Sequence, residues 1–221
     1  MDDPALDAGL HEEALAQLRR IFWLSRTAQP VWDILERFSR EKNLMPLRGI
    51  DIGTGGGDLP LAITQKANLC KIPLTLDGAD ISATALNCAS QNAQRKKLSV
   101  RFIKFDIKSG GIPAHYDFLV SSLFLHHLTP EEIGSFFKIL QTSNLKLAIF
   151  TDLLRSIPGW LLAHLTTWTL TPSPVVKKDA LLSVKAAYTL DEICEIARES
   201  GLSKIELKKI WPERFLLVWK R

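Results

Sequence analysis

The sequence is poor in cysteine and contains no long apolar run, and each absence excludes a class of protein. Its three cysteines, Cys70, Cys88 and Cys194, lie far apart without the spacing of metal ligands or of a disulfide framework. The most apolar segment, residues 157–170, is too short to cross a bilayer. The stretch MDDPALDAGLHEE is acidic and has no apolar centre, unlike a secretory signal. We therefore expect reduced thiols, no bound metal and a cytoplasmic location.

The chain also lacks a concentrated basic surface, although its net charge is +4. Its basic residues are spread out, with short clusters such as residues 95–97 and 177–178. A nucleic-acid-binding face normally shows a basic patch or stripe, so these clusters predict solvated surfaces and no nucleic-acid partner. With 46% hydrophobic residues, a chain of 221 residues is long enough for one domain with its own core.

Apolar segments alternate with helical patterns over most of the chain. Two helices, over residues 5–28 and from Pro30 to about Lys42, precede the first strand. The predicted strands cover residues 48–52, 74–80, 100–105, 116–121, 145–150, 204–211 and 215–220. Only Pro212 and its neighbours join the last two strands, and so short a connection forces an antiparallel pair. The pattern predicts a Rossmann-like, doubly wound α/β fold whose seven-stranded sheet is mostly parallel, with a final antiparallel strand.

A glycine-rich turn, Asp-Ile-Gly-Thr-Gly-Gly-Gly-Asp, follows the first strand at residues 51–58. A dinucleotide-binding turn needs a third glycine where this chain has Asp58, whose carboxylate would repel a pyrophosphate. No Gly-Lys-Ser/Thr follows, which excludes a P-loop. An acid ahead of alternate glycines instead suits a ligand with an ammonium group, such as S-adenosylmethionine. We assign cofactor binding in this turn to Asp51, Gly53, Thr54, Gly55 and Gly57.

Acidic residues also end the second and third predicted strands. Asp80 lies near the offset of about 20 residues after the glycine turn at which a carboxylate binds ribose hydroxyls. Ile81 could pack on the adenine face. Asp106, followed by Ile107, could accept a hydrogen bond from the adenine amino group. All these residues lie at the carboxyl ends of parallel strands, where open α/β sheets bind their ligands.

Residues 48–150 resemble the class I S-adenosylmethionine-dependent methyltransferases. The turn at 51–57 matches their first motif, with Gly56 where cysteine or serine is usual, and Asp80 and Asp106 match their ribose and adenine acids. The segment SSLFLHHL at 121–128 looks like their fourth-strand segment, which adds Ser121 and Ser122 to the expected cofactor site.

A longer pattern is similar to a bacterial subgroup associated with aromatic polyketide or quinone-like pathways. It comprises SSLFLHHL, the segments at 152–156 and 173–189, and the terminal WPERFLLVWKR. This resemblance implies methylation of a small, partly apolar acceptor at a hydroxyl.

Methyl transfer from a sulfonium mainly requires alignment, and transfer to a hydroxyl can also use a general base. His126 and His127 follow the fourth strand, so either is a candidate base. The alternative is that one histidine packs structurally while the other is solvated.

The acceptor site is expected between an amino-terminal arm, residues 1–46, and an insert at about 156–188 in the main domain, 47–221. The insert is predicted as a helix over 157–170, followed by irregular chain up to Tyr188. Arg155 could steer an anionic acceptor or form a surface ion pair. The side chains that could close over an apolar acceptor, or pack in the core instead, are Phe22, Trp23, Arg26, Trp160 and His164.

Two other functions and one other location stay open. A nucleic-acid methyltransferase is disfavoured because no Asn/Asp-Pro-Pro-aromatic cluster follows the fourth strand. A cofactor-binding regulatory protein without activity would need only the acids and glycines. The 157–170 helix, with Lys177 and Lys178, could also rest on a membrane surface to reach a lipidic acceptor. The sequence does not indicate an oligomeric state.

Overall fold

Seven strands form one sheet in the computed structural model, which describes Leu15 and residues 19–43, 45–170 and 174–221. The strands are β1 (Leu47–Ile52), β2 (Leu74–Asp80), β3 (Phe102–Lys104), β4 (Phe118–Ser122), β5 (Leu147–Leu153), β6 (Ile205–Ile210) and β7 (Arg214–Lys220). Their order is β3-β2-β1-β4-β5-β7-β6, and β7 runs antiparallel to both of its neighbours. The other pairs are parallel, which confirms the predicted fold class.

Helices cover both faces of this sheet. The named helices are α1 (Ala28–Glu41), α2 (Asp58–Cys70), α3 (Ala83–Lys96), α4 (Pro130–Thr142), α5 (Ile157–Leu170), α6 (Pro174–Ala186) and α7 (Leu190–Glu199). A 3₁₀ turn, Leu125–His127, follows β4. Capping boxes are present at the starts of α4 and α7, where Thr129 and Thr189 each accept a backbone N–H.

Two apolar layers hold the helices on the sheet because side chains alternate across each strand. In β4, Leu119 belongs to the layer under α4 and α7, whereas Phe118 and Val120 belong to the layer under α1 and α2. All three side chains are fully buried, which explains the continuous apolar run in this strand. Leu35 of α1 is equally buried, so α1 is part of the core. The division of the chain at residue 46 stays a prediction.

The prediction of irregular chain after residue 170 is wrong, because α6 covers most of it. Pro172 and Pro174 would interrupt a helix that ran through them, but proline is well tolerated in the first turn of a helix, where its missing N–H is not needed. α6 accordingly begins at Pro174. Val176 and Val184 of this helix are buried, so packing stabilises a segment whose sequence looks unfavourable.

The amino-terminal helices also differ from the predicted bounds. Residues 19–24 are helical, a turn occupies 25–27, and α1 then begins at Ala28. Residues 5–14 and 16–18 of the first predicted helix lie outside the described residues. Strand β5 extends to Leu153, beyond its predicted end at 150, so Asp152 lies within the strand and is held by its ladder.

Phe150 offers a test of the layer under α4. Its ring is fully buried and meets the rings of Phe136 and Phe137 edge to face, each at 5.5 Å between centroids. We expect Phe150→Ala to lower the free energy of unfolding by about 3–5 kcal/mol, because a large buried ring leaves a cavity. Urea unfolding measures this loss. Leu69→Ala, at a side chain that is 76% exposed, should stay within about 0.5 kcal/mol of wild type; similar losses in both variants would contradict the assigned core.

Candidate active site

A cavity of about 860 Å³ opens at the carboxyl edge of the sheet. Its walls come from the glycine turn, the ends of β2 and β4, the 3₁₀ turn, and the helices α5 and α6. A space of this size accommodates a drug-sized ligand. It lies where the sequence predicted the site, at the carboxyl ends of parallel strands.

The glycine turn takes a backbone conformation that other residues rarely adopt. Gly53 has φ +73° and Gly57 has φ +77°. A Cβ atom on Gly53 would lie 2.5 Å from the Phe124 ring, and one on Gly57 would lie 2.8 Å from the Phe102 ring. Gly53 and Gly55 line the cavity, whereas Gly57 serves the close approach of α2 to its neighbours. Two glycines therefore bring backbone to the cavity, and the third supports the turn from behind.

Asp51, the second-to-last residue of β1, has a buried carboxylate that lines the cavity. Thr54 donates a 2.7 Å hydrogen bond to its Oδ2. Its Oδ1 is buried and has no hydrogen-bond partner among the described residues. Burial raises the pKa of Asp51 to about 8; the hydrogen bond from Thr54 opposes this rise, and the nearby Asp80 charge adds to it. An unpaired buried acceptor beside a cavity is the expected partner of a donor on a ligand.

Asp80 is oriented by the backbone on both sides of it. Gly55 N–H donates to Oδ2 and Ser82 N–H donates to Oδ1, each at 2.9 Å. Each carboxylate oxygen keeps a second acceptor position, and Asp80 lines the cavity, so a pair of hydroxyls can bind there. Ile81 is 65% exposed and borders the same cavity, as a platform for a flat apolar ring requires.

The remaining residues expected to bind the cofactor divide into two groups. Asp106, Ile107 and Ser122 line the cavity. Asp106 also accepts a 2.8 Å hydrogen bond from Lys108 N–H, which fixes its carboxylate. Ser121 does not line the cavity; it is buried and donates to the Ile52 carbonyl, so it joins β4 to β1.

A buried histidine–carboxylate pair lies at the same cavity as the glycine turn. Nδ1 of His126 lies 2.7 Å from Oδ1 of Asp152, and the His126 backbone N–H donates to Oδ2. Burial alone would raise the pKa of Asp152, but its charge interaction and hydrogen bonds with His126 hold that pKa below the usual value. Both histidines line the cavity, yet His127 is exposed and only His126 is buried with Asp152. No role for Asp152 was predicted from sequence; an acid that follows the apolar run of the fifth strand was the available signal.

Arg214, the first residue of β7, also lines the cavity and was not anticipated from sequence. It is 3% exposed and donates a hydrogen bond to the Thr27 hydroxyl. Burial lowers its pKa to about 10, and the Asp152 charge opposes this effect. A basic residue next to a short hairpin connection resembles an ordinary surface residue, so sequence carried no signal for it.

Most of the residues predicted to contact the acceptor lie away from the cavity. Phe22 lines it. Trp160 stacks on His164 at 5.5 Å, and Arg155 is exposed and paired with Glu192. The described residues of the prediction that do not line the cavity are Trp23, Arg26, Arg155, Trp160 and His164.

The opposite side of α5 forms the wall instead. Its contributing residues are Gly159, Leu162, Ala163, Thr166 and Thr167, together with Asp179, Ala180, Ser183 and Val184 from α6. α5 is apolar around its whole circumference, so its sequence could not show which face turns inward.

Comparisons with known proteins agree with this geometry. A family model described as a methyltransferase domain matches residues 50–143. The release factor glutamine methyltransferase of Haemophilus influenzae is 34% identical over 89 residues, which are 37% of this chain. The aligned part spans only 29% of that relative's length.

Solved structures share the fold at low identity. Magnesium protoporphyrin IX methyltransferase from Synechocystis, with bound S-adenosylmethionine, has a TM-score of 0.61 at 18% identity over 99% of both chains. Human N-acetylserotonin methyltransferase has a TM-score of 0.65 at 12% identity, over 97% of this chain and 56% of its own. A methyltransferase from Aquifex aeolicus has a TM-score of 0.57 at 16% identity, over 83% of this chain and 87% of its own.

The matched domain, the strand order and the acids around the glycine turn agree with one another. Residues 50–143 are therefore similar to a methyltransferase domain, and the chain has the fold that solved S-adenosylmethionine-dependent methyltransferases share.

Proposed function

We propose that this protein transfers a methyl group from S-adenosylmethionine to a hydroxyl of a small, partly apolar molecule of aromatic, polyketide-like or quinone-like type. The observation that carries the proposal is the His126–Asp152 pair, which borders the same cavity as the glycine turn and Asp80. A buried carboxylate that orients a histidine beside a ligand site is the arrangement that general-base chemistry requires.

The cofactor residues fit S-adenosylmethionine group by group. The unpaired Oδ1 of Asp51 suits its amine, Asp80 suits the ribose hydroxyls, and Asp106 suits the adenine amino group. Gly53 and Gly55 have no side chain, so they leave room for the part of the cofactor that joins its amine to its ribose. When bound, the cofactor supplies a methyl group activated on a sulfonium.

His126 is arranged to accept a proton from a hydroxyl. Because an ionised carboxylate accepts hydrogen bonds only, Asp152 selects the proton on Nδ1, which leaves Nε2 of a neutral ring as the acceptor. Asp152 also stabilises the charged ring after the proton arrives. The buried setting of both groups keeps water from weakening this interaction.

The cavity wall favours a small apolar acceptor over a nucleic acid or a protein. Leu162 and Ala163 of α5 and Val184 of α6 line it, and its volume leaves space beside a nucleoside cofactor. Two of the similar structures are named for acting on magnesium protoporphyrin and N-acetylserotonin, which are small molecules. The His126–Asp152 pair argues against an inactive regulatory protein. The cytoplasmic location stays a prediction.

Asp51 gives a test of cofactor binding. At pH 7 its pKa of about 8 keeps it largely protonated in the free protein. An ammonium group at Oδ1 favours the carboxylate, so binding of S-adenosylhomocysteine, which retains the amine, should release close to one proton. Calorimetry in phosphate and in Tris buffer measures the release from the difference in enthalpy. Asp51→Asn should abolish the buffer dependence while keeping the side-chain volume.

The same raised pKa fixes the sign of a stability effect. Between the ordinary value of 3.8 and about 8, folded Asp51 holds a proton that the unfolded chain has released. The free energy of unfolding of the unliganded protein should therefore fall as pH rises through this window, and Asp51→Asn should reduce the slope.

In the calorimetry with S-adenosylhomocysteine, binding without proton release would contradict the amine position, whereas absence of binding would contradict the proposed function.

The histidine pair gives a test of catalysis. Methyl-labelled cofactor, incubated with the protein and host-cell extract and followed by mass spectrometry, identifies the acceptor. On that acceptor, His126→Ala and Asp152→Asn should each lower kcat by about 10²–10⁴-fold with unchanged affinity for S-adenosylhomocysteine. His127→Ala is the matched comparison and should lose much less. An equal or larger loss in His127→Ala would remove His126 from the role of base.

Exposed apolar side chains around α5 support a second candidate property, peripheral membrane contact. Ile157, Leu165 and Trp168 are 79%, 63% and 70% exposed on this helix. Trp211, 75% exposed, borders the cavity mouth, and Lys177 lies over the Trp168 ring at 5.3 Å. Apolar side chains flanked by lysines suit an anionic lipid surface. In the described ranges, no helix is long and apolar enough to span a membrane.

Vesicle co-sedimentation tests this contact. On vesicles of phosphatidylcholine containing phosphatidylglycerol, Trp160→Ala/Trp168→Ala should bind at least about tenfold more weakly than wild type, because two large side chains no longer enter the interface. Leu69→Ala, an exposed apolar change on α2, should bind as wild type does. Equal pelleting of the double variant and wild type excludes membrane contact through α5.

A further inference from the structure

Arg214 is a buried cation whose hydrogen bonding is incomplete. The Thr27 hydroxyl accepts one hydrogen bond from it, but its Nε is buried and has no partner among the described residues. No described carboxylate forms an ion pair with it, since Asp152 acts on it only through the longer-range charge interaction. A guanidinium has five N–H donors, and one is almost never buried without a paired anion. The free protein therefore carries a cost that a bound anion would remove.

The surroundings of Arg214 leave it available to a ligand. It lines the large cavity together with Ser25 and Phe22. Glu213, the neighbouring acid at the cavity rim, is held by Lys209 and by the Ser156 hydroxyl, each at 2.7 Å. Asp152 is likewise engaged with His126. Nearby carboxylates thus have partners of their own, and the guanidinium stays a positive group at the cavity wall.

The position of Arg214 in the sheet separates it from the cofactor's amino-acid end. Asp51, the expected site of the amine, is on β1, and β7 is three strands away through β4 and β5. At about 4.8 Å per strand, their backbones are on the order of 14 Å apart. The cofactor's carboxylate shares a carbon with its amine and so belongs near Asp51. An anion at Arg214 must come from the other ligand.

We infer that Arg214 recognises a carboxylate on the methyl acceptor, so that the substrate class is an apolar hydroxy acid. This inference rests on the proposed function. Arginine can bind a carboxylate through two parallel N–H groups, which fixes orientation as well as adding affinity. With one end held at β7, the acceptor's hydroxyl can be directed toward His126, which borders the same cavity.

The test compares two probes that differ in charge, 6-hydroxy-2-naphthoate and 6-hydroxy-2-naphthamide. Matching carboxylate and amide pairs built on one ring and on three rings extend the comparison to smaller and larger acceptors. Calorimetry is done on protein saturated with S-adenosylhomocysteine. Wild type should bind the carboxylate of at least one pair about tenfold or more tightly than its amide, the scale of a lost hydrogen bond to a charged group. Arg214→Met should abolish the preference without weakening the amide. If no pair shows the preference in wild type, including when none binds, the inference is wrong.

Two further variants separate recognition from folding. Thr27→Val removes the structural hydrogen bond but keeps the guanidinium, and it should retain the preference. If Arg214→Met does not fold, Arg214→Lys carries the comparison, because a point charge cannot form the paired contact and should lower the preference. A wild-type preference in Arg214→Lys, or loss of preference in Thr27→Val, would overturn the inference.

The source of the carboxylate is tested on the cofactor itself. S-adenosylhomocysteine and its decarboxylated analogue should differ in affinity by the same factor in wild type and in Arg214→Met. If Arg214→Met selectively weakens S-adenosylhomocysteine, Arg214 binds the cofactor's carboxylate and the acceptor assignment fails. If wild type does not bind S-adenosylhomocysteine at all, the proposed function fails with it.

Discussion

Burial of ionisable groups at the carboxyl edge of the sheet is the constraint on which the rest of the structure depends. Asp51, Asp152 and Arg214 are each at most 3% exposed, in a layer where neighbouring strands carry apolar side chains. Taking such groups out of water is costly. The two apolar layers under the helices offset that cost, and Phe150 and Leu119 are among their most buried members.

Two of these three groups, Asp51 and Arg214, have less than a full set of partners among the described residues. Thr54 donates to one oxygen of Asp51, and Thr27 accepts one hydrogen bond from Arg214. Oδ1 of Asp51 and Nε of Arg214 have no hydrogen-bond partner in the part of the chain that the structure describes. Asp152 is better satisfied, since His126 contacts both of its oxygens. The hydrogen bonding therefore distinguishes Asp51 and Arg214, which can bind a ligand, from Asp152, which orients His126. This contrast supports the roles proposed for them.

The parts of the site that sequence predicts are those set by short stretches of chain. Asp51, Asp80 and Asp106 each lie at or just beyond the carboxyl end of a strand, so strand boundaries and parallel order were enough to bring them together. The choice between His126 and His127 needed a contact with β5, 26 residues away in the chain, which no local pattern contains. Arg214 needed the register of a hairpin against β5. Sequence periodicity also failed for α5, because a helix apolar on every side has no inward face to read.

The cavity wall formed by α5 and α6 is one continuous piece of chain, inserted between β5 and α7. Both of its ends return to the same place, since Leu154 and Tyr188 pair with each other as a β-bridge. The segment can therefore change in length or composition without altering the order of the strands. In a fold built in this way, this wall of the cavity can vary while the glycine turn and the histidine pair stay unchanged.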